Sequence, residues 1–371
     1  MNIIHIISSR GFLGAENMVL TLATEQINNG HAVKIAAIVN NPASKPVLLS
    51  KSELSGIPTI SIYSRSIINI RAIITLRGLL KRNQIDIIHS HGYKADFFSF
   101  AATVFMNKPK KIATCHTWYS VSFKLLVYEI IDKIVLFGFS RIVVVSHGLM
   151  ADLCKIGISK KKICLINNSI DIEKFFLGKK TFDIRKEYGL APDSFILAAI
   201  GRLAVDKGHI FLMYGVKALI EEGIDVRCFI IGNGPQFAAL RAKIIELKLE
   251  HHIILTGSLG NIAEILDSID VFVMPSLKEG MPIALLEAMA SRKAIVASGV
   301  GMISSLIIPD RNGLLVKQKD PIALKEAIKR YYENPSLRLE HGNNAQTTLV
   351  EQCSSKKMAR EYLTEYSKCL V

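Results

Sequence analysis

The feature that most constrains this chain is a rhythm. Short, almost uninterrupted runs of β-branched and aliphatic residues recur along its length, each followed by a helical pattern. In the first half the runs are Ile3–Ser8, Ala32–Val39, Thr59–Ile62, Ile85–His89, Lys111–Cys115, Arg141–Val145 and Ile163–Ile166. In the second half they are Phe195–Ile200, Val226–Ile231, Ile253–Thr256, Val271–Met274 and Ala294–Ala297, with helical stretches such as His209–Glu221 and Pro282–Ser291 between them. A strand that is apolar at every position must be covered on both faces, and a helix between strands supplies the crossover that parallel pairing requires. The pattern predicts α/β architecture with parallel sheets. It breaks near Asp171–Thr181, where Lys174, Gly178, Lys179 and Lys180 intervene. A chain of 371 residues suits two such domains, placed at 1–175 and 176–354. Two doubly wound sheets would then face each other across a cleft, with ligands at the carboxyl ends of their strands.

Composition removes several classes. Half of the residues are apolar, enough buried surface to offset ordering entropy, so a disordered chain is excluded. The six cysteines are scattered, with no C-x-x-C pair and no ligand cluster, which fits a reducing compartment. Asn2–Ser8 lacks the basic flank of a secretory signal, and Leu125–Phe139 carries Glu129, Asp132 and Lys133, too many charges for a membrane span. A cytoplasmic chain, or one lying on the inner face of the plasma membrane, is expected.

The formal charge of +14 is unevenly placed. Residues 1–180 hold 23 Lys and Arg against 10 Asp and Glu, whereas residues 181–371 hold 23 against 22. The excess points to an anionic partner for the first half, an acidic membrane surface or nucleic acid. Tyr63–Asn83 carries Arg65, Arg71, Arg77, Lys81 and Arg82 and no acid. Ile67, Ile70 and Ile74 repeat at helical spacing, as do Ile73, Leu76 and Leu80, while Arg71, Thr75, Gly78 and Arg82 fall on another face. This reads as a basic amphipathic helix, although an ordinary domain helix with a solvated basic face fits the same spacing. A second basic cluster, Lys108, Lys110 and Lys111, precedes Trp118, Tyr119 and Phe123. With one Trp, no aromatic-rich basic motif and no zinc-finger spacing, nucleic acid is not expected.

Chemistry concentrates after the strands of the second half. Gly201-Arg202-Leu203-Ala204-Val205-Asp206-Lys207-Gly208 sets two cations five residues apart on a strand-to-helix loop, where they can grip a diphosphate with helix N–H groups behind them. Gly232-Asn233-Gly234-Pro235 is a turn that permits close backbone approach, to a ligand or simply to itself. In Glu279-Gly280-Met281-Pro282-Ile283-Ala284-Leu285-Leu286-Glu287, Glu279 lies in a loop, Gly280 allows unusual dihedrals and Pro282 suits the first helical position. Glu287 then falls inside an apolar helix, where a carboxylate is costly unless paired or ligated. It could accept the two hydroxyls of a ribose, or form a structural salt bridge. Gly299-Val300-Gly301 and Asp310–Val316 read as a further loop and turn. In the first half, Gly11–Glu16 follows the first strand without being G-x-G-x-x-G, and His91 and His116 follow strands. No Asp-x-Asp or His/carboxylate cluster suggests a metal site, so the charge of a departing diphosphate would fall to Arg202, Lys207 and helix dipoles.

Taken together, these residues resemble a retaining glycosyltransferase of family 4, with the GT-B fold of two Rossmann-like domains. Glu279 and Glu287 meet the Glu-x7-Glu signature, and Arg202 and Lys207 match Gly-Arg-Leu-x4-Lys-Gly. The likeness extends to Gly11–Glu16, Ser90–Asp96, Val145-Ser146, Asn167–Phe175 and Gly232–Pro235, most of the chain. The resemblance implies a metal-independent hexosyltransferase acting in bacterial cell-surface polysaccharide or lipopolysaccharide synthesis. It needs no cofactor, and a nucleotide-sugar, UDP-linked, is its co-substrate. Arg202 and Lys207 would hold the diphosphate, Glu287 the ribose, and Glu279 with Gly280, Met281, Pro282 and Ile283 the donor sugar. Gly232 would line the donor site, Gly14 would shape the loop over the phosphates, and His116 would touch the sugar near the reacting carbon. The first domain would take a glycan or lipid-linked acceptor at an anionic membrane, and a last helix, about 355–371, would pack back on it. Three positions depart from the pattern: Asn168-Ser169-Ile170-Asp171 lacks the usual glycine, Val300-Gly301-Met302-Ile303-Ser304 lacks the usual acid, and no Arg follows Thr256-Gly257. A nucleotide-sugar 2-epimerase of the same fold, or a catalytically silent binding subunit, would share the architecture.

Overall fold

A computed structural model describes the chain except residues 9–13, 42, 44, 117–122, 176–181, 261 and 371. Gly11, Trp118, Tyr119, Gly178, Lys179 and Lys180 lie outside the described residues. The chain divides into two compact units, Met1–Ile170 with Ser355–Val371, and Asp171–Ser354.

In the first unit the elements run β1 (Asn2–Ile7), α1 (Gly14–Asn28), β2 (Ala32–Val39), α2 (Val47–Leu54), β3 (Thr59–Tyr63), α3 (Ile70–Arg82), β4 (Ile87–His91), α4 (Tyr93–Thr103), β5 (Lys110–Cys115), α5 (Phe123–Leu136), β6 (Arg141–Val144), α6 (His147–Lys155) and β7 (Ile163–Leu165). The seven strands pair in parallel in the order β3-β2-β1-β4-β5-β6-β7. Both faces are dry, as the uninterrupted apolar runs require. Ile3, Ile7, Ile35 and Ile87 point to one face and pack with Met18 and Leu22 of α1 and Leu48 of α2. Ile4, Ile6, Ile38 and Ile88 point to the other, against Leu76 and Leu79 of α3 and Phe98 of α4.

In the second unit follow α7 (Ile184–Glu187), β8 (Phe195–Ile200), α8 (His209–Glu221), β9 (Val226–Ile231), α9 (Phe237–Glu246), β10 (Ile253–Gly257), α10 (Ile262–Asp267), β11 (Val271–Met274), α11 (Ile283–Ala290), β12 (Ala294–Ser298), α12 (Ile303–Leu306), β13 (Leu314–Val316), α13 (Pro321–Glu333) and α14 (Pro335–Gln352). Its six strands are parallel in the order β10-β9-β8-β11-β12-β13. The last helix, α15 (Ser355–Leu370), belongs to the first unit and buries Met358, Ala359, Tyr362 and Tyr366 beside β1 and β4.

Several elements differ from the sequence-based expectation. Residues Leu314–Val316, read as part of a loop, form β13 on β12, because three residues are too few to show a period. β4 lies two residues later than expected, so His91 is its last residue rather than two residues beyond it. In α3 the sheet-facing stripe is Ala72, Leu76, Leu79 and Leu80, which turns Ile70 (69% exposed) and Ile74 (63%) outward alongside Arg71. α5 also carries outward apolar residues, among them Leu126, Ile130 and Ile134. No helix among the described residues is long and apolar enough to cross a membrane.

Candidate active site

The second unit gathers its charged candidates on loops at the carboxyl ends of its strands. After β8 the chain makes a short 3-10 turn, Val205–Lys207, and then starts α8. Lys207 Nζ lies 2.6 Å from Glu279 Oε1, and Ser276 donates to the same oxygen at 2.7 Å. The Glu279 side chain is 7% exposed and that of Lys207 22%, so the pair sits in a partly dry setting where its attraction is only partly screened. Leu277 N donates to the Asp206 carbonyl at 2.8 Å, tying the Glu279 loop to the Lys207 loop. Arg202 reaches Asp206 instead, at 3.4 Å, and stays half-exposed.

Backbone packing explains the glycines. Gly232 sits so close to the β8 loop that a Cβ there would overlap the Gly201 carbonyl, and Leu203 N donates to Asn233 O at 2.9 Å. The turn at Gly232–Pro235 therefore braces the Arg202 loop. Gly280 does not take the unusual dihedrals expected of it. That geometry falls at Gly301, with φ +55° and a Cβ that would strike the Glu279 carbonyl, while Met302 N donates to Gly280 O at 3.0 Å. Pro282 is the N-cap residue rather than the first helical residue, and α11 begins at Ile283. No positive-φ turn occurs at Asn168–Asp171, consistent with the missing glycine.

Glu287 lies in α11 between the buried Leu286 and Ala288. Its side chain makes no ion pair or hydrogen bond with any described residue, which removes the structural salt bridge as its explanation. Burial pushes its carboxyl up to about 7. A group kept at that cost with no protein partner is suited to a ligand that donates hydrogen bonds. Met281 is buried at the mouth of the same helix, and Ile283 opens it.

Gly14 and His116 belong to the first unit. Gly14 is the first residue of α1, and the rest of its loop, 9–13, lies outside the described residues. His116 directly follows β5 and stacks on His91 with ring centroids 5.8 Å apart. Its Nε2 is buried without a partner, and burial lowers its pKa to about 4. The two histidines line a cavity of about 250 Å³ with Glu16, Asp96, Cys115 and Asp132. Asp96 is buried, accepts from Ser90, and is held well above the usual carboxylate range by burial and by Asp132 beside it.

Behind that cavity is a network the sequence did not reveal. His5 and His89 face each other in register on β1 and β4. His5 Nε2 is 2.8 Å from Gln26 Oε1, and His5 Nδ1 is 3.1 Å from His91 Nε2. His89 reaches the Tyr366 hydroxyl at 2.6 Å and Thr114 at 2.7 Å, and Thr114 meets the Tyr362 hydroxyl at 3.0 Å. One nitrogen from each of His5, His89 and His91 lies within 4.8 Å of the others, a spacing open to a metal ion. Both nitrogens of His5 and of His89 are already bonded to protein groups, so hydrogen bonding accounts for the cluster. Its hydrogen-bonded partners are 21 to 340 residues apart in sequence, beyond any local motif.

Two family models match this chain. "Glycosyltransferase Family 4" takes residues 13–174 and "Glycosyl transferases group 1" residues 180–348, most of the chain between them. An Escherichia coli relative, UDP-Gal:alpha-D-GlcNAc-diphosphoundecaprenol alpha-1,3-galactosyltransferase, is 27% identical over 77% of this chain and 76% of its own length. A Campylobacter jejuni relative, N,N'-diacetylbacillosaminyl-diphospho-undecaprenol alpha-1,3-N-acetylgalactosaminyltransferase, is 27% identical over 80% of each. Among solved structures, Anabaena HepE in complex with UDP-glucose superposes with a TM-score of 0.86 at 18% identity, covering 99% of this chain and all of that one. The two parallel-sheet units, the loops that carry Arg202, Lys207, Glu279 and Glu287, and both family matches lead to one conclusion: this chain belongs to the family 4 glycosyltransferases and has the GT-B fold.

Proposed function

We propose that this glycosyltransferase moves a hexosyl group, with retention, from a UDP-sugar to a hydroxyl of a lipid-linked glycan in bacterial surface-polysaccharide synthesis. The observation that carries the reading is the presence in one unit of Lys207, held at Glu279 on a loop before α8, and of a half-buried Glu287 in α11 whose side chain has no partner among the described residues. Arg202, Lys207 and the N-terminus of α8 present positive charge to a diphosphate, and Gly232 braces that loop. Glu287 accepts the two ribose hydroxyls. Glu279 and the backbone from Gly280 to Ile283 meet the donor sugar, with Gly14 and His116 contributed by the first unit. The named activities of the Escherichia coli and Campylobacter relatives support a diphosphoundecaprenol-linked acceptor.

In the proposed step the bond between the sugar C1 and the diphosphate oxygen breaks while the acceptor oxygen bonds to C1 on the same face. The acceptor proton passes to the departing phosphate oxygen, so no enzymic nucleophile and no metal or cofactor enters the step. Lys207 and Arg202 stabilise the charge that builds on the diphosphate. An anionic membrane surface is the proposed location. It is supported by the basic first half and by the outward Ile70, Ile74, Ile130 and Ile134 of the first unit.

A thermal-shift panel of UDP-, GDP- and ADP-sugars tests the donor, because a ligand that binds only the native state raises Tm. UDP-sugars are expected to raise it most, and product analysis by NMR should give the donor's anomeric configuration. No shift with any nucleotide would overturn the reading.

A further inference from the structure

His91 is the last residue of β4 and lines the cavity of the first unit. Its Nδ1 is buried and makes no hydrogen bond with any described residue. The hydrogen bonds behind it determine which nitrogen holds the proton. Gln26 turns its Oε1 to His5 Nε2 at 2.8 Å and its amide to the Tyr366 hydroxyl at 3.2 Å. A carbonyl oxygen can only accept, so His5 carries its proton on Nε2. A neutral imidazole carries one proton, which leaves His5 Nδ1 as an acceptor 3.1 Å from His91 Nε2. His91 must then donate from Nε2, and its Nδ1 is a bare lone pair. Burial keeps both rings neutral, holding His5 at about 4 and His91 well below the usual imidazole value. The same rule runs through the rest of the network. Tyr366 accepts from Gln26 and donates to His89 Nδ1, so His89 donates from Nε2 to Thr114.

Among the described residues the cavity wall holds His91, His116, Asp96, Asp132, Glu16 and Tyr93 and no Lys or Arg, which suits a neutral, hydroxyl-bearing ligand. We propose that His91 Nδ1 accepts a hydrogen bond from a sugar hydroxyl in this cavity, and that Gln26 and His5 are positioning residues that fix the accepting tautomer. The choice of a sugar rests on the transfer reaction proposed above. The hydroxyl comes from either the donor or the acceptor sugar, and the two arms of the test separate them.

The test uses the full chain labelled with ¹⁵N-histidine, read by long-range ¹H–¹⁵N correlation. His91 is expected as the Nε2–H tautomer from pH 6 to 9. Its Nδ1 resonance should move on saturation with UDP-galactose or UDP-N-acetylglucosamine if the donor is the source, or with methyl α-N-acetylglucosaminide if the acceptor is, and should not move with UDP alone. A proton on Nδ1, or an Nδ1 unmoved by either kind of sugar while UDP binds, would overturn the proposal. Failure of UDP to bind would overturn the donor reading, and the glycoside arm would still decide the role of His91. Two variants add an independent readout. His91→Asn keeps an acceptor near the Nδ1 position and should hold sugar affinity within about threefold, whereas His91→Ala should lose about tenfold or more with UDP affinity unchanged. Equal sugar affinity in His91→Ala and the unsubstituted protein would also contradict it.

Discussion

The two units share an architecture but treat polar groups in opposite ways. In the second, Lys207 pairs with Glu279 and Arg202 with Asp206 at the loop ends of a sheet whose core is apolar. In the first, His5, His89, His91, Tyr362 and Tyr366 are buried within the sheet and its covering helices and are held neutral. The difference teaches that a doubly wound sheet supplies only a frame, and that burial decides what kind of group the frame offers. Partly solvated loops can present charge to a diphosphate, whereas a desolvated network must be neutral and paired nearly throughout, and so presents only a directed hydrogen-bonding atom such as the open His91 Nδ1.

The comparison can be broken most sharply at Lys207. Lys207→Ala should lower turnover with a UDP-sugar by about 10²–10³-fold, the cost of removing one preorganised donor to developing charge, and should lower Tm as well because Glu279 loses its ion-pair partner. Steady-state kinetics beside a melting curve measure both, and wild-type turnover would place the diphosphate elsewhere.

Tyr366→Phe attacks the other side. It removes the hydroxyl between Gln26 and His89 and leaves two buried polar groups short of a partner, costing about 1–3 kcal/mol. Because the two units need not unfold together, the loss should appear in one transition of a two-step melt, leaving UDP binding intact. A lowered UDP affinity would show that the units are not separable in this way.

Glu287 sharpens the comparison, because it is a half-buried carboxyl of the charged unit with no side-chain partner among the described residues. Its folded-state pKa is raised to about 7, so folding binds its proton more tightly than the unfolded chain does. Stability from this group is full below the unfolded value near 4.5 and declines as pH rises towards about 7, by roughly 3 kcal/mol in all. Glu287→Gln should therefore raise Tm at pH 8 and weaken UDP binding about tenfold. Ribose hydroxyls favour the ionised form, so UDP affinity of the unsubstituted protein should fall as pH drops below about 7. Calorimetric titration at pH 6 and 8 checks both signs.

The smallest expected effect concerns location. Ile70→Ser with Ile74→Ser on α3 should lower sedimentation with phosphatidylglycerol vesicles several-fold while leaving activity on a soluble acceptor unchanged. Unchanged sedimentation would remove α3 from the proposed membrane surface.

Much of the frame was legible in the sequence because parallel strands are apolar on both faces. Ala32–Val39, Phe195–Ile200, Val226–Ile231 and Val271–Met274 have the limits that their runs suggest. The failures have local causes. β13 is too short to show a period, and the solvent-facing Ile70 and Ile74 satisfy the same helical spacing as the buried stripe beside them. The dihedral demand assigned to Gly280 arises at Gly301 because two loops cross there, which no single segment encodes. The motif around Lys207 and Glu279 was visible, yet their contact spans 72 residues and needed the fold. The histidine network left no trace, since Tyr366 on α15 meets His89 across 277 residues.

The most direct test of the contrast between a charged unit and a neutral one is calorimetric titration of UDP into the full chain, into Lys207→Ala and into His91→Ala. UDP affinity should fall tenfold or more in Lys207→Ala and stay within about twofold in His91→Ala. UDP binding that is undisturbed by Lys207→Ala, or lost in His91→Ala, would contradict the account.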